Sequence, residues 1–153
     1  MVKIGRNMTK ILLLTVLLIG FSQCRSVQYA SPKEFPGPKI SFGNGGGFAG
    51  TYKEYLLCEN GQLFLRTSQK SSFGELESID KTETNQCFAN YDQLGLHSIS
   101  VNDPGNLFYF VKYSNKDLNH ESMWGGVHSQ EPESLRIFYR NLMHLVKGKN
   151  PIK

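Results

Sequence analysis

The sequence predicts an α+β domain, built as an antiparallel sheet of four to five strands with two helices packed on one face. Three observations support this fold class. Short strand-like runs follow one another across turn signals, whereas parallel strands would need long crossover connections. Two segments, near residues 83–94 and 132–147, carry apolar residues at helical spacing. The resulting order is strand, strand, strand, helix, strand, strand, helix, which is economical as one sheet covered by two helices.

Residues 1–23 have the pattern of a secretory signal peptide. A positive segment with Lys3, Arg6 and Lys10 precedes an apolar run at 11–21. That run is too short to cross a bilayer as a helix, which needs ~20 residues. An N-terminal membrane anchor that is never cleaved is the alternative.

Cys24 ends the stretch "GFSQC", which resembles a loose bacterial lipobox. Gln23 stands where Gly, Ala or Ser is usual, and Phe21 stands where Leu is usual. We expect lipid on Cys24, a bacterial membrane anchor, and a periplasmic or cell-surface location. Residues 24–38, with three prolines, then predict an extended lipidated tether, and residues 39–153 a single domain.

The charge of the chain is concentrated in the predicted signal. The full sequence has 17 Lys+Arg against 13 Asp+Glu, and losing the three basic residues of the signal leaves 14 against 13. A nucleic-acid-binding protein favours a persistent basic face, which this balance does not provide. We therefore expect no nucleic-acid partner.

The first three strands surround the clearest hairpin signal in the chain. "KISF" at 39–42 predicts a short first strand, and residues 52–57 alternate in strand fashion. Asn60-Gly61 then tolerates positive φ at both turn positions, and "QLFLRT" returns as the third strand. The polar stretch 68–80 predicts a loop with at most a short irregular strand.

A first helix is predicted at 83–94, capped by Thr82 and ended by Gly95. Four side chains recur on its buried face: Cys87, Phe88, Tyr91 and Leu94. An exported Cys58–Cys87 pair could form a disulfide, or both could be buried reduced thiols. The sequence leaves these two alternatives open.

Two further strands and a closing helix complete the domain. A turn signal at 103–106 precedes the aromatic run 107–113, and the turn "KDLNH" precedes the strand "ESMWGGV". The closing helix is predicted at 132–147, with Pro132 at its first position and Gly148 at its end. Its apolar stripe comprises Leu135, Phe138, Tyr139, Leu142, Leu145 and Val146.

The segment "FGNGGGFAG" at 42–50 contains five glycines in nine residues. Residues 45–50 match G-x-G-x-x-G, but a strand rather than a helix follows, so a phosphate-binding loop is disfavoured. The glycines either shape a strand connection or let a partner's backbone approach closely. Trp124, before Gly125-Gly126, is either core or an exposed anchor. We expect these partner-binding residues: Gly45, Gly46, Gly47, Phe48, Ala49, Gly50 and Trp124.

The motif "GGGFAG" between two strands resembles emfourin, the protein inhibitor of thermolysin-like metalloproteases; Gly46, Gly47, Phe48, Ala49 and Gly50 carry the resemblance. The resemblance implies a similar small fold and a secreted metalloprotease as partner, with the loop blocking its cleft. The added segments "NDPGN" and "WGG" are similar instead to uncharacterised lipoproteins of the bacterial envelope. The alternative function is thus a structural envelope lipoprotein without inhibitory activity.

No residue pattern predicts catalysis, a metal or a cofactor, and we expect a protein that is not an enzyme. His120 and His128 lie near Asp117 and Glu121, but their spacing matches no standard zinc pattern. We interpret these histidines as solvated loop residues. Cys87 is on a buried helix face, where packing explains it better than nucleophilic chemistry does.

Overall fold

The computed structural model describes residues 27–152, so the predicted signal and Cys24 lie outside the described residues. Within these residues the chain forms six strands and two helices, with a short 3₁₀ turn at Leu96–Ser98. Their bounds are β1 (Lys39–Gly46), β2 (Thr51–Cys58), β3 (Leu63–Arg66), β4 (Gly74–Leu76), α1 (Lys81–Gln93), β5 (Leu107–Ser114), β6 (Asn119–Trp124) and α2 (Glu133–Leu145). The α+β class is confirmed, with one strand more than the upper end of the predicted count.

The strands form one sheet in the order β4-β3-β2-β1-β5-β6, and each neighbouring pair is antiparallel. β1 is central, because all eight of its residues pair with β2 on one side and with β5 on the other. It therefore extends to Gly46, four residues beyond the predicted "KISF" strand. The first glycines of the glycine-rich segment are thus part of the sheet.

Both helices pack on the same face of the sheet, as predicted. The main core is a single buried cluster in which Ile40, Phe42 and Leu57 are from the sheet. Both helices supply buried side chains to it: Phe88 and Tyr91 from α1, and Leu135, Phe138 and Leu142 from α2. Aromatic stacking joins the layers, since the rings of Tyr91 and Tyr113 lie 4.6 Å apart between centroids.

The opposite face of the sheet is partly covered by residues 27–38, which were predicted to belong to an extended tether. Phe35 is buried there with Leu56 and Phe64. The fully buried Gln62 amide donates to the carbonyl of Tyr29 (3.0 Å) and accepts from its backbone N–H (2.9 Å). The folded domain therefore begins before Lys39, because these contacts fix the preceding chain to the sheet.

The helix ends differ slightly from the predicted ones. α1 is capped by Asp80 rather than by Thr82, since the Asp80 carboxylate accepts from the Thr82 N–H at 2.8 Å. Gly95 has φ of 61°, which agrees with its predicted role at the helix end. Pro132 is the residue before α2 rather than its first helical residue.

Cys58 and Cys87 are free thiols, which contradicts the disulfide alternative. Cys58 is buried, as the reduced-thiol alternative expects, whereas Cys87 is only half-buried. Cys58 is in the smaller cluster on one face of the sheet, whereas Cys87 packs against the main core on the other. Burial raises the pKa of the Cys58 thiol to about 12 and that of Cys87 to about 11.

Within residues 27–152, no helix combines the length and the apolar character that crossing a membrane requires.

Candidate functional site

The glycine-rich segment ends in the turn that joins β1 to β2. Residues 47–50 form this turn, which we call the tip turn, and the Gly50 N–H donates to the Gly47 carbonyl at 3.0 Å. Gly47 and Gly50 have φ of 76° and 58°, a region that side chains with a Cβ rarely occupy. A Cβ at either position would meet no atom within 4 Å, so the tip turn stands clear of the domain.

The glycines inside β1 are required by close neighbours. A Cβ on Gly43 would overlap the carbonyl oxygen of Lys53, and one on Gly46 would overlap that of Asn106. On Gly45 it would lie 2.6 Å from the Phe108 ring. The glycine-rich composition therefore has a structural explanation at each of these positions. Packing within the domain thus accounts for these glycines without the approach of a partner's backbone.

Phe48 is the exposed side chain of the tip turn. Its relative exposure is 108%, the highest of any large apolar side chain in the described residues, and Ala49 beside it is exposed as well. The Phe48 ring is exposed to water in the turn between Gly47 and Gly50, so it contributes nothing to the core. Its position is the one expected of an anchor that is buried only on binding.

Three glycine-containing segments meet at this end of the sheet. The Gly47 N–H donates to the carbonyl of Asn106 at 2.7 Å, which joins the tip turn to "NDPGN". The Gly126 N–H donates to the carbonyl of Asp103 at 2.8 Å, which joins "NDPGN" to "WGG". The backbones of Gly105 and Gly125 are also in direct contact. These segments are far apart along the chain, and the order of strands in the sheet places them next to one another.

Trp124 is buried, so its core interpretation is correct and the exposed-anchor interpretation is not. Its relative exposure is 4%, and its ring meets Tyr139 edge-on at 5.3 Å between centroids. The backbone after Trp124 is connected to the tip turn through "NDPGN". The Trp124 ring itself packs against Tyr109 and Tyr139 on the helix side of the sheet. The predicted partner-binding residues therefore divide into the tip turn and a buried tryptophan.

A buried ion pair lies in the sheet below the tip turn. Glu54 is 3% exposed; its carboxylate accepts from the Arg66 guanidinium at 2.6 Å and from the Tyr52 hydroxyl at 2.5 Å. Burial, followed by the neighbouring Glu54, raises the pKa of Tyr52 well above its usual range. Both donors bind Oε2 of the carboxylate, and the group thereby links β2 to β3. This cluster is absent from the sequence predictions, because its local signal is no more than Tyr52 and Glu54 two residues apart on a strand.

An aromatic stack covers the glycines of β1 on the sheet face that carries Glu54. The rings of Tyr52 and Phe110 lie 5.9 Å apart with an interplanar angle of 15°. Gly43 and Gly45, which lie between β2 and β5 in the register, have no side chains to separate these rings. The β1–β2 hairpin that carries the tip turn is thus flanked by β5 on one edge and by β3 on the other.

His120 is a structural residue, which corrects its interpretation as a solvated loop histidine. It lies in β6, which starts two residues earlier than predicted. Its Nε2, 2.7 Å from the carbonyl of Ile99, must donate, and in the neutral imidazole Nδ1 then accepts from the Tyr91 hydroxyl at 2.8 Å. His128 is exposed, and no group of three or more potential ligands that could hold a metal occurs within residues 27–152.

No protein-family model matches this chain, and no curated protein is detectably similar to it. The resemblance to emfourin therefore rests on the five residues of the glycine motif and stays a prediction.

Proposed function

We propose that this chain is a lipid-anchored, extracytoplasmic module that binds a protein through its tip turn. The observation that supports the proposal is the fully exposed Phe48 at the end of a hairpin fixed on both sides. The lipid anchor and the location rest on the lipobox-like "GFSQC" and the signal pattern before it.

The geometry of the tip turn suits insertion into a cleft. Phe48 is flanked by Ala49 and by glycines, so no bulky neighbour would keep a partner's backbone away. Burying an exposed Phe side chain is worth roughly 1.5–3 kcal/mol. β1 pairs along its full length with two strands, so little conformational entropy would be lost when the hairpin is bound.

The most specific form of the proposal is an emfourin-like inhibitor of a secreted, thermolysin-like metalloprotease. Phe48 would fill an apolar subsite, and the glycines would let the turn enter the cleft. The second candidate is a structural envelope lipoprotein without inhibitory activity. It is favoured by Gly43 and Gly46, whose lack of a side chain is explained by packing within the domain.

Titrating a thermolysin-like protease with the purified protein tests inhibition. We expect stoichiometric loss of proteolysis, and Phe48→Ala should weaken inhibition by roughly 30-fold or more, as for a binding hot spot. Val127→Ala is the matched control, because Val127 is also almost fully exposed (97%) but lies outside the tip turn. Full protease activity at excess protein would reject the inhibitor.

Protein binding in general needs a separate test at the same position. A photoreactive phenylalanine analogue at position 48 should give a discrete crosslinked protein in the intact envelope, and the same analogue at position 127 should not. Crosslinks of equal yield at both positions, or at neither, would contradict a specific contact at the tip turn.

A further inference from the structure

A cavity of about 420 Å³ lies between the end of β6 and α2, on the helix side of the sheet. Pockets of a few hundred Å³ with apolar walls and a few polar groups are the usual form of small-molecule sites. The side chains that line it include Tyr109, Trp124, Glu131, Arg136, Tyr139 and Arg140.

The apolar wall of the cavity is made of three aromatic rings. Tyr139 meets Trp124 at 5.3 Å and an angle of 87°, and Tyr109 at 5.6 Å and 67°. Such edge-to-face contacts fix the three rings relative to one another. Burial raises the pKa of Tyr139 well above its usual range, so its hydroxyl stays neutral. The wall is thus rigid and aromatic.

The polar side of the cavity is lined by two arginines and one carboxylate. Arg136 and Arg140 are four residues apart on α2, so both lie on one helix face and line the cavity. Glu131 is the opposing carboxylate and already accepts from the Ser129 hydroxyl at 3.2 Å. Arg136 pairs with Glu133 at 3.3 Å, whereas Arg140 has no ion-pair or hydrogen-bond partner within the described chain.

We propose that this cavity binds a small monocarboxylate with an aromatic body. The guanidinium of Arg140 would take the carboxylate through paired N–H donors, a geometry that guanidinium and carboxylate groups share. The rings of Trp124, Tyr139 and Tyr109 would take the aromatic body. This site is distinct from the tip turn and does not depend on the protein-binding proposal.

Trp124 provides the readout, because it is the only tryptophan in the chain and it lines the cavity. Titration of the purified protein with 3-phenylpropanoate should give a saturable change in tryptophan fluorescence. The neutral amide of the same acid should bind about 10-fold more weakly or worse, since it lacks the charge that pairs with Arg140. No saturable change with the acid, or equal affinity for acid and amide, would overturn the proposal.

Two neighbouring substitutions should act in opposite directions. Arg140→Gln should weaken binding of 3-phenylpropanoate about 10-fold or more, whereas Glu131→Gln should strengthen it by removing a like charge. Lys147→Gln is the control, since it removes one positive charge from an exposed position just past α2 and outside the cavity wall. If Arg140→Gln binds as tightly as the unaltered protein, or if Lys147→Gln loses as much affinity, the proposal fails.

Discussion

Alanine at Gly46 should destabilise the domain far more than alanine at Gly47, although both residues have positive φ. Gly46 has φ of 90° and Gly47 has φ of 76°, so each substitution forces an alanine into the left-handed region. That conformation costs roughly 1–2 kcal/mol. For Gly47 this is the whole effect, because a Cβ there would meet nothing within 4 Å.

At Gly46 the new methyl group would also overlap the carbonyl oxygen of Asn106. That oxygen accepts from the Gly47 N–H at 2.7 Å, so relieving the overlap weakens this hydrogen bond, worth about 0.5–1.5 kcal/mol. Moving β1 away from β5 to make room adds about 1–3 kcal/mol, as in other overpacked sites. We therefore expect Gly46→Ala to cost roughly 3–6 kcal/mol, against roughly 1–2 kcal/mol for Gly47→Ala.

Equilibrium urea unfolding, followed by the fluorescence of the single tryptophan and by circular dichroism, measures both free energies of unfolding. Because small domains are stable by about 5–15 kcal/mol, Gly46→Ala should be marginally folded and Gly47→Ala clearly folded. If the two variants differ by less than about 1 kcal/mol, the close approach of Asn106 does not explain the glycine at position 46.

Two further predictions concern buried polar groups. Tyr52→Phe should lower the free energy of unfolding by about 1–2 kcal/mol, because the buried Glu54 loses a hydroxyl donor. An unchanged free energy of unfolding in urea would contradict this. Stability should also fall as the pH rises above about 9, because the unfolded chain releases its thiol protons there. The folded chain retains the protons of Cys58 and Cys87, whose pKa values are raised to about 12 and about 11. Each thiol contributes up to about 1.4 kcal/mol per pH unit, and Cys87→Ala should reduce the slope; pH-independent unfolding would refute it.

The elements that sequence predicts well are those whose signals are local. The hairpin forms where Asn60-Gly61 predicts it, and Gly61 has the expected positive φ (92°). The central turn residues are Glu59 and Asn60, however, because the Gly61 N–H donates to the Cys58 carbonyl at 2.9 Å. α1 and α2 follow from side-chain spacing along one segment. By contrast, the three-residue β4 becomes a strand through pairing with β3 and with residues 150–152, and β1 extends to Gly46 because two strands flank it.

The sequence identifies the residues of the tip turn but not how they are arranged in space. The motif around Phe48 stands out in the sequence, yet exposure of that ring depends on where the hairpin ends relative to its neighbours. The burial of Trp124 depends on Tyr139, which is on a different element. Likewise, the contact of Gln62 with Tyr29 joins residues 33 positions apart, and no local pattern announces it.

The N-terminal segment and the tip turn lie at opposite ends of the domain. Val27 and Tyr29 are held by Asn60 and Gln62, at the end of β2 that lies away from the tip turn. A strand of eight residues separates these ends by about 26 Å. With lipid on Cys24, as proposed, three residues would connect the membrane to Val27, a reach of at most about 11 Å. Phe48 would then point outward from the bilayer, towards a partner in the surrounding fluid rather than a neighbour in the same membrane.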